Sequence, residues 1–578
     1  MLNKINKTHF FNIFCFILTA TYLFLFFRDI TPFWFNPEWT TDDALQQTYP
    51  FHQILIPDLF KGDLITEVML GYLAPVHYWL SYFFTVLTGD PIMMGHWVML
   101  IQISVLSLFL FLLIYKLSAF GPACLGLLWI YHTRTFMQRI TGGLPRGWSA
   151  PLIVAFLYFL VKKNHKAVLL VLFIGCLLHP PSTLICATTY GLYLFFGVVV
   201  QKTRKEFLKP LIVLIILSPV YVFTVFKVVE RPEHIGQMIT YEKALKDPAM
   251  IRPYGRFPFV PHLEISKEIR MYAFQPFQHR LAKVSRFAKD YAPYIFLSLF
   301  FILLIYNFFR KKRILTPVLC AYVFSIIPIY FLSRIFAFKL YVPDRHLQQP
   351  MAIFWVVSFI VLIWQAFANQ DNKSYEDKKD LVSYKLIFAY FILFCLIYFG
   401  NGHGFYGSLN FNYSLYKKGK VFVWLEKNTN KEALIAGHPQ FIDGVMLFAK
   451  RKGYATYETA HPFYPKYFKE VLRRHTISLK AHYAKDLKEV YELLEPEKID
   501  YFVFNKTRFY PDQLKKARYF EPLKTLNEEL TSRDYMDYAY KQLPKDLNLK
   551  NHPYLIFRDE QSAIIDVKKL GDWLQVIN

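Results

Sequence analysis

Apolar runs recur along the first 400 positions of this chain, and those of about 17 to 25 residues could each cross a ~30 Å hydrocarbon layer as a helix, while several others are shorter. This repetition restricts the fold more than any other feature, because only helices and closed barrels satisfy their backbone groups inside lipid. The runs do not alternate polar and apolar residues as barrel strands do, so they read as helices. About eleven candidate spans emerge, at 9–28, 92–115, 119–132, 148–161, 166–179, 182–200, 210–229, 291–309, 314–332, 347–368 and 384–400. The 578 residues are 54% hydrophobic and include 58 Phe, yet mean hydropathy is only +0.23 because the polar residues are segregated. Such a chain is a polytopic α-helical membrane bundle, here over residues 1–400, followed by a soluble segment over 401–578.

Charge sets the topology. The segment 401–578 holds 29 Lys+Arg against 22 Asp+Glu, a surplus of 7, so 17 of the +24 net charge lies in the membrane portion. Its basic clusters, at Lys162, Lys163 and Lys166, at Lys202, Arg204, Lys205 and Lys209, and at Arg310 to Arg313, fall between apolar runs as the positive-inside bias requires. The high pI therefore does not indicate nucleic-acid binding, and no arginine-rich arm supports it. One run, Gly71 to Leu87, would break the charge parity if it crossed, so it reads as an interfacial or re-entrant helix. The N-terminus is then inside and the C-terminus outside. Lys4 and Lys7 precede an uncleaved first helix, because Arg28-Asp-Ile-Thr-Pro32 rather than a small-residue cleavage site follows it. All six cysteines lie in apolar segments, which leaves the soluble end without disulfides or a structural zinc site.

This topology gathers several segments on the outer face: the loops 29–91 and 230–290, the loop His132 to Gly147, the turn His179-Pro180-Pro181 and the stretch Ser333 to His346. Loops this long in a bundle are functional or disordered, and their aromatic and proline content argues for order. The stretch Asp371 to Asp380 is a charged inner loop. Beyond residue 400, strands are predicted at Glu432–Gly437 and Ile499–Phe504 and helices at Tyr467–His482 and Asp486–Leu494, a small α/β pattern. It carries no phosphate-binding glycine loop and no nucleophile elbow.

Two adjacent acids, Asp42 and Asp43, follow the first span at the water boundary, where carboxylates beside an apolar bundle point to function. Neighbours in sequence diverge by about 100° on a helix, so both rarely face one atom. Asp42, with Thr40 or Thr41, serves equally well as a helix N-cap. As a base, either acid would be raised above its ~3.9 reference pKa by a like-charged neighbour and desolvation. Asp63 and Glu67 are further outer-face acids, each a second base, a metal ligand or, best, a solvated helix end. The loop Arg134 to Trp148 places three arginines and three glycines on the outer face, against the usual bias. Arg134 reads as a headgroup contact, whereas Arg139 and Arg146 suit bidentate phosphate binding, with glycines letting backbone approach an anion. Arg345, near Arg334 and Lys339, repeats the theme, although an Asp344–Arg345 staple explains it equally. His179 reads as a cap or headgroup contact. Trp34, Trp39, Tyr49 and Phe51 suit sugar stacking or an interfacial belt. No metal is demanded, and the cofactor stays unknown.

The stretches Thr41-Asp-Asp-Ala-Leu-Gln-Gln47, Pro57-Asp-Leu-Phe-Lys-Gly-Asp-Leu64, Leu144-Pro-Arg-Gly-Trp-Ser-Ala-Pro151, Tyr254-Gly-Arg-Phe-Pro-Phe-Val-Pro261 and Leu340-Tyr-Val-Pro-Asp-Arg345 resemble a bacterial group of polytopic proteins in the glycosyltransferase-C superfamily. Ala433 to Pro439 and Tyr467 to Arg474 fit the same group. That superfamily includes oligosaccharyltransferase catalytic subunits, protein mannosyltransferases and lipid A aminoarabinose transferases. The resemblance implies a sugar taken from a polyprenyl-phosphate carrier, with an acid of the first outer loop as base; the place falls to Asp42, with Asp43 second. The loop Gln138 to Gly143 is similar in position to an oligosaccharyltransferase loop that also carries metal-binding acids, which are absent from it here. A divalent metal is therefore not indicated.

The reading that unites these features is an inverting glycosyltransferase of a bacterial inner membrane, with its second domain extracytoplasmic. Asp42 or Asp43 would be the base, Arg139, Arg146 and Arg345 the phosphate ligands, and an envelope glycan or lipid the acceptor. A flippase for lipid-linked sugars would need intramembrane acids and paired broken helices that the spans lack. A non-catalytic assembly protein on the same scaffold is the third alternative.

Overall fold

The computed structural model describes residues 7–200, 204–229, 232–278, 286–312, 315–368, 382–399, 415–534 and 536–577. The expected boundary at residues 400 and 401, the charged stretch 371–380 and parts of the basic clusters at Lys202 and Arg313 lie outside the described residues, as do the side chains of Asp42 and Arg134.

Each of the eleven apolar runs falls on a helix. Among the described residues five helices are long and apolar enough to cross a membrane: Lys7–Asp29, Pro91–Leu117, Pro180–Val199, Pro317–Ile335 and Pro343–Phe367. Further apolar helices of 10–17 residues pack among them. Proline at the first helical turn starts several of them (Pro91, Pro317, Pro343), where its missing N–H has no partner to lose. Asp90 completes the start of Pro91–Leu117 by accepting from the amides of Ile92 and Met93.

Pro343–Phe367 is the axis of the bundle, with 89% of its apolar window buried. Lipid is as apolar as leucine, so close packing and interhelical hydrogen bonds hold such a helix. Tyr322, Tyr390 and Asn307 donate to its carbonyls at Pro350 (2.9 Å), Ile360 (2.8 Å) and Leu362 (3.2 Å). The helix begins four residues before the expected 347, because Pro343 starts the turn, and Arg345 and His346 therefore sit in its first turn rather than in a loop.

The run Gly71–Leu87 becomes a helix over Pro75–Thr88, 14 residues and so about 21 Å long at 1.5 Å per residue, short of a bilayer core. It is inverted in character. His77, Ser81 and Thr85 are buried along one face, while Trp79, Phe83, Val86 and Leu87 are exposed on the other.

Residues 415–577 hold a five-stranded sheet in the order β4-β3-β5-β7-β6. Its strands are β3 (Leu434–Gly437), β4 (Lys452–Gly453), β5 (Tyr501–Asn505), β6 (Leu555–Arg558) and β7 (Ser562–Asp566). β3 runs parallel to β4 and β5, and β7 antiparallel to β5 and β6. The helices Pro465–His482 and Leu487–Leu494 precede β5. A separate antiparallel pair joins β1 (Trp39–Thr41) to β2 (Leu415–Lys417), with Thr40 opposite Tyr416. The first loop is thereby tied to the second segment. One apolar cluster combines Leu45, Tyr49, Val68 and Ile235 with Ile435, Phe448 and Tyr467, so the loops after the first and seventh apolar helices share a core with the C-terminal residues.

Candidate active site

β1 leads directly into the helix Asp42–Thr48, whose N-cap is Thr41, without a side-chain capping bond. Asp42 is thus the first helical residue, and of the capping candidates Asp42, Thr40 and Thr41 it is Thr41, with extended backbone and paired with β2, that takes the N-cap position. Asp43 carries the site's acid, with its Oδ2 2.6 Å from Nη2 of Arg146 and the two side chains 32% and 25% exposed. Burial alone would raise its carboxyl. Arg146, through charge and hydrogen bond, and then Arg139 and Arg256 outweigh that and hold it below the usual carboxylate range. The expected raised basicity is therefore corrected: the neighbours that count are guanidiniums.

Arg139 lies in the helix Arg134–Ile140 and Arg146 in the 3-10 turn Pro145–Trp148. Between them Gly142 and Gly143 have φ of +84° and +66°. A Cβ on Gly143 would fall 2.1 Å from the carbonyl oxygen of Gly95, and one on Gly142 2.9 Å from Cβ of Ala44. These glycines let the loop touch the helix Pro91–Leu117 and the Asp42–Thr48 helix, which brings Arg146 to Asp43. The close approach of these two glycines is to the Gly95 backbone and the Ala44 side chain.

Arg139, Arg146, Arg345 and His179 line one recess of about 380 Å³, counting space open to solvent, together with Tyr341 and Gln348. Gln348 Oε1 accepts from both Arg139 (2.7 Å) and Arg345 (3.2 Å) and so spaces the two guanidiniums. Arg345 also lies 3.6 Å from Asp344, a loose contact that leaves it facing the recess. Burial and then the like charge of Arg146 lower the pKa of Arg139. A partly desolvated cluster of three guanidiniums, flanked by the carboxylates of Asp43 and Asp344, keeps a net positive charge suited to an anion. Nδ1 of His179 is 2.9 Å from Oγ of Ser182, which donates to Ser149 (2.6 Å), so a hydroxyl chain floors the recess.

Other candidates are placed elsewhere. Asp63 caps the helix Leu64–Leu70, accepting from the amide and hydroxyl of Thr66 at 2.8 and 2.7 Å. Glu67 makes an exposed contact with His234 at 2.8 Å. Arg334 pairs with the buried Glu268 and donates to the carbonyl of Leu263, so it is separated in role from Arg345. Trp34, Trp39, Tyr49 and Phe51 are each at most 3% exposed, which corrects both readings made of them; they are core, with Trp39 against His96 and Tyr49 against Phe60. Among the described residues no group of three or more His, Cys, Asp or Glu is arranged to hold a metal ion.

Sequence reasoning passed over Arg256. It lies within electrostatic reach of Asp43 and pairs with Glu458 at 3.1 Å while donating to the carbonyl of Tyr457 at 3.0 Å. The motif Tyr254-Gly-Arg256 marked the place, but its partners lie about 200 positions away and no local pattern announces them.

An apolar bundle bearing a polar recess at one end, built from several inter-helix segments, defines a polytopic membrane protein with a candidate binding site between its helices. The chain belongs to the family described as Dpy19: Q-cell neuroblast polarisation, whose profile it matches over residues 196–538. Its fold is similar to that of the Archaeoglobus fulgidus oligosaccharyltransferase in the apo form, at 11% identity and a TM-score of 0.50, covering 90% of this chain and 72% of that one. The oligosaccharyltransferase AglB from Archaeoglobus fulgidus, in complex with an inhibitory peptide and a dolichol-phosphate, aligns at 13% identity and a TM-score of 0.46 over 79% of this chain and 64% of that one. No curated protein sequence matches the chain.

Proposed function

We propose that this protein transfers a sugar from a polyprenyl-phosphate carrier to an acceptor at the outer membrane face, with inversion at the anomeric carbon. The carrying observation is the contact of Asp43 with Arg146 at the edge of a recess that Arg139 and Arg345 also line. In this reading Arg139, Arg146 and Arg345 bind the phosphate and stabilise the charge that it gains as the anomeric C–O bond breaks. Arg146 turns from Asp43 to the incoming phosphate, which releases the carboxylate to take the acceptor's proton. Binding of the donor thus raises the basicity of Asp43 at the moment when a base is needed. Asp42 is the alternative base.

The acceptor has two readings. The superfamily resemblance favours a hydroxyl of an envelope glycan or lipid. Membership of the Dpy19 family, a family of C-mannosyltransferases, favours mannose as the sugar and a carbon nucleophile as the acceptor. Purified protein in liposomes supplied with synthetic polyprenyl-phosphate mannose and cell-envelope or peptide acceptors tests both. Release of polyprenyl phosphate in step with labelled acceptor supports transfer, and resistance of the new linkage to acid hydrolysis marks carbon attachment. Movement of the lipid across the bilayer without release of polyprenyl phosphate would instead support a flippase.

A further inference from the structure

Two bulky residues of one short turn, Phe338 and Tyr341, have φ of +71° and +68°. The left-handed region is rare for such side chains, and it persists only where the surroundings over-determine it. Here the amides of Phe338 and Tyr341 each donate to the other's carbonyl at 3.2 Å, and Nε2 of His346 lies 2.7 Å from the carbonyl of Leu340. The Phe338 ring packs against Phe463 and Phe259 at 5.6 and 6.5 Å. None of these contacts uses the Tyr341 side chain. Its ring is 40% exposed, so core filling does not account for it.

Tyr341 instead lines the recess that holds Arg139, Arg146 and Arg345. Its hydroxyl is within electrostatic reach of Arg139 and Arg146 and then of Asp344 and Asp43, and among the described residues no hydrogen bond engages it. Guanidiniums only donate, so they cannot accept the phenol's proton; a ligand rich in acceptor oxygens satisfies both.

We infer that Tyr341 is a further donor-site residue whose hydroxyl donates a hydrogen bond to the phosphate of the lipid-linked sugar, an inference that rests on the donor-site reading above. An unperturbed phenol has a pKa of about 10, so Tyr341 is protonated at neutral pH and can donate. As the C1–O bond breaks, its electron pair passes to the phosphate oxygen, the acceptor bonds to C1 and gives its proton to Asp43, and Tyr341 keeps its own. The turn holds the donor aimed before substrate arrives, so no ordering of the loop is needed at binding.

The test uses the full-length protein in detergent micelles and farnesyl phosphate as the probe. Tyr341→Phe keeps the ring and backbone geometry and removes one oxygen. Its Kd for farnesyl phosphate is expected to rise about tenfold to a hundredfold, with an unchanged melting temperature and a displaced 31P resonance of the bound probe. Tyr341→Gly, which suits the positive φ, is expected to lose affinity at least as much although its backbone is relaxed. Unchanged affinity in either variant overturns the inference. Arg146→Ala in the same assay separates the two levels of argument. If it loses affinity while Tyr341→Phe does not, the tyrosine role alone fails; if neither loses affinity, the donor-site reading fails with it.

Discussion

Replacing Asp43 by Asn should have opposite effects on binding and on chemistry. Oδ2 of Asp43 lies 2.6 Å from Arg146, so a phosphate on the far side of that guanidinium would sit roughly 6 to 7 Å from the carboxylate. At an effective dielectric constant of about 20, two unit charges at that separation repel by about 2.5 kcal/mol. Both side chains are partly exposed, and solvent screening brings this to about 1 kcal/mol, or about fivefold in affinity. Asp43→Asn removes this repulsion and releases Arg146. Its affinity for farnesyl phosphate should therefore rise about fivefold, while sugar transfer should fall by about 10²- to 10⁴-fold through loss of the base. Titration of the purified variant against farnesyl phosphate, beside turnover of polyprenyl-phosphate mannose, measures both. Weaker binding by Asn would refute the electrostatic reasoning, because it would mean that the carboxylate's main contribution is to hold Arg146 in position.

Gly143→Ala must move either its own loop or the Gly95 backbone, and with the positive φ it should cost about 2–4 kcal/mol, read as a lower melting temperature and loss of phosphate binding. Glu67→Gln removes an exposed contact with His234 and should leave stability and phosphate affinity nearly unchanged; a marked loss in either would place Glu67 in the site. Because its folded pKa is depressed, the Asp43 carboxylate contributes stability that is present above about pH 4 and lost as pH falls through the folded value. The melting temperatures of the native protein and Asp43→Asn should converge in acid, and a gap that widens there would contradict the ion pair.

The eleven apolar runs were legible as helices because long unbroken apolar stretches without period-two alternation bury themselves most readily as helices, so length and hydropathy suffice. Arg139 and Arg146 stood out for a related reason: the topology expected from the charge pattern disfavours positive charge at their positions, and a departure from that bias is a local property of the chain. Helix starts were less so. The run at 347 concealed the turn from Pro343 that carries Arg345, since polar residues in a first turn interrupt hydropathy without interrupting the helix.

What the sequence by itself determined is therefore the bundle and the chemical types present at one end of it. Only the tertiary structure decided that Asp43 meets Arg146, that Gln348 joins Arg139 to Arg345, that Arg256 reaches the first loop, and that the tryptophans near Asp42 are buried. Each of these depends on pairs separated by tens to hundreds of positions, and on a strand pairing of β1 with β2 across nearly 400 residues. Periodicity records which face of an element is apolar. It carries no information about which distant charge that element will be packed against, and the pKa of Asp43 follows from the charges packed around it.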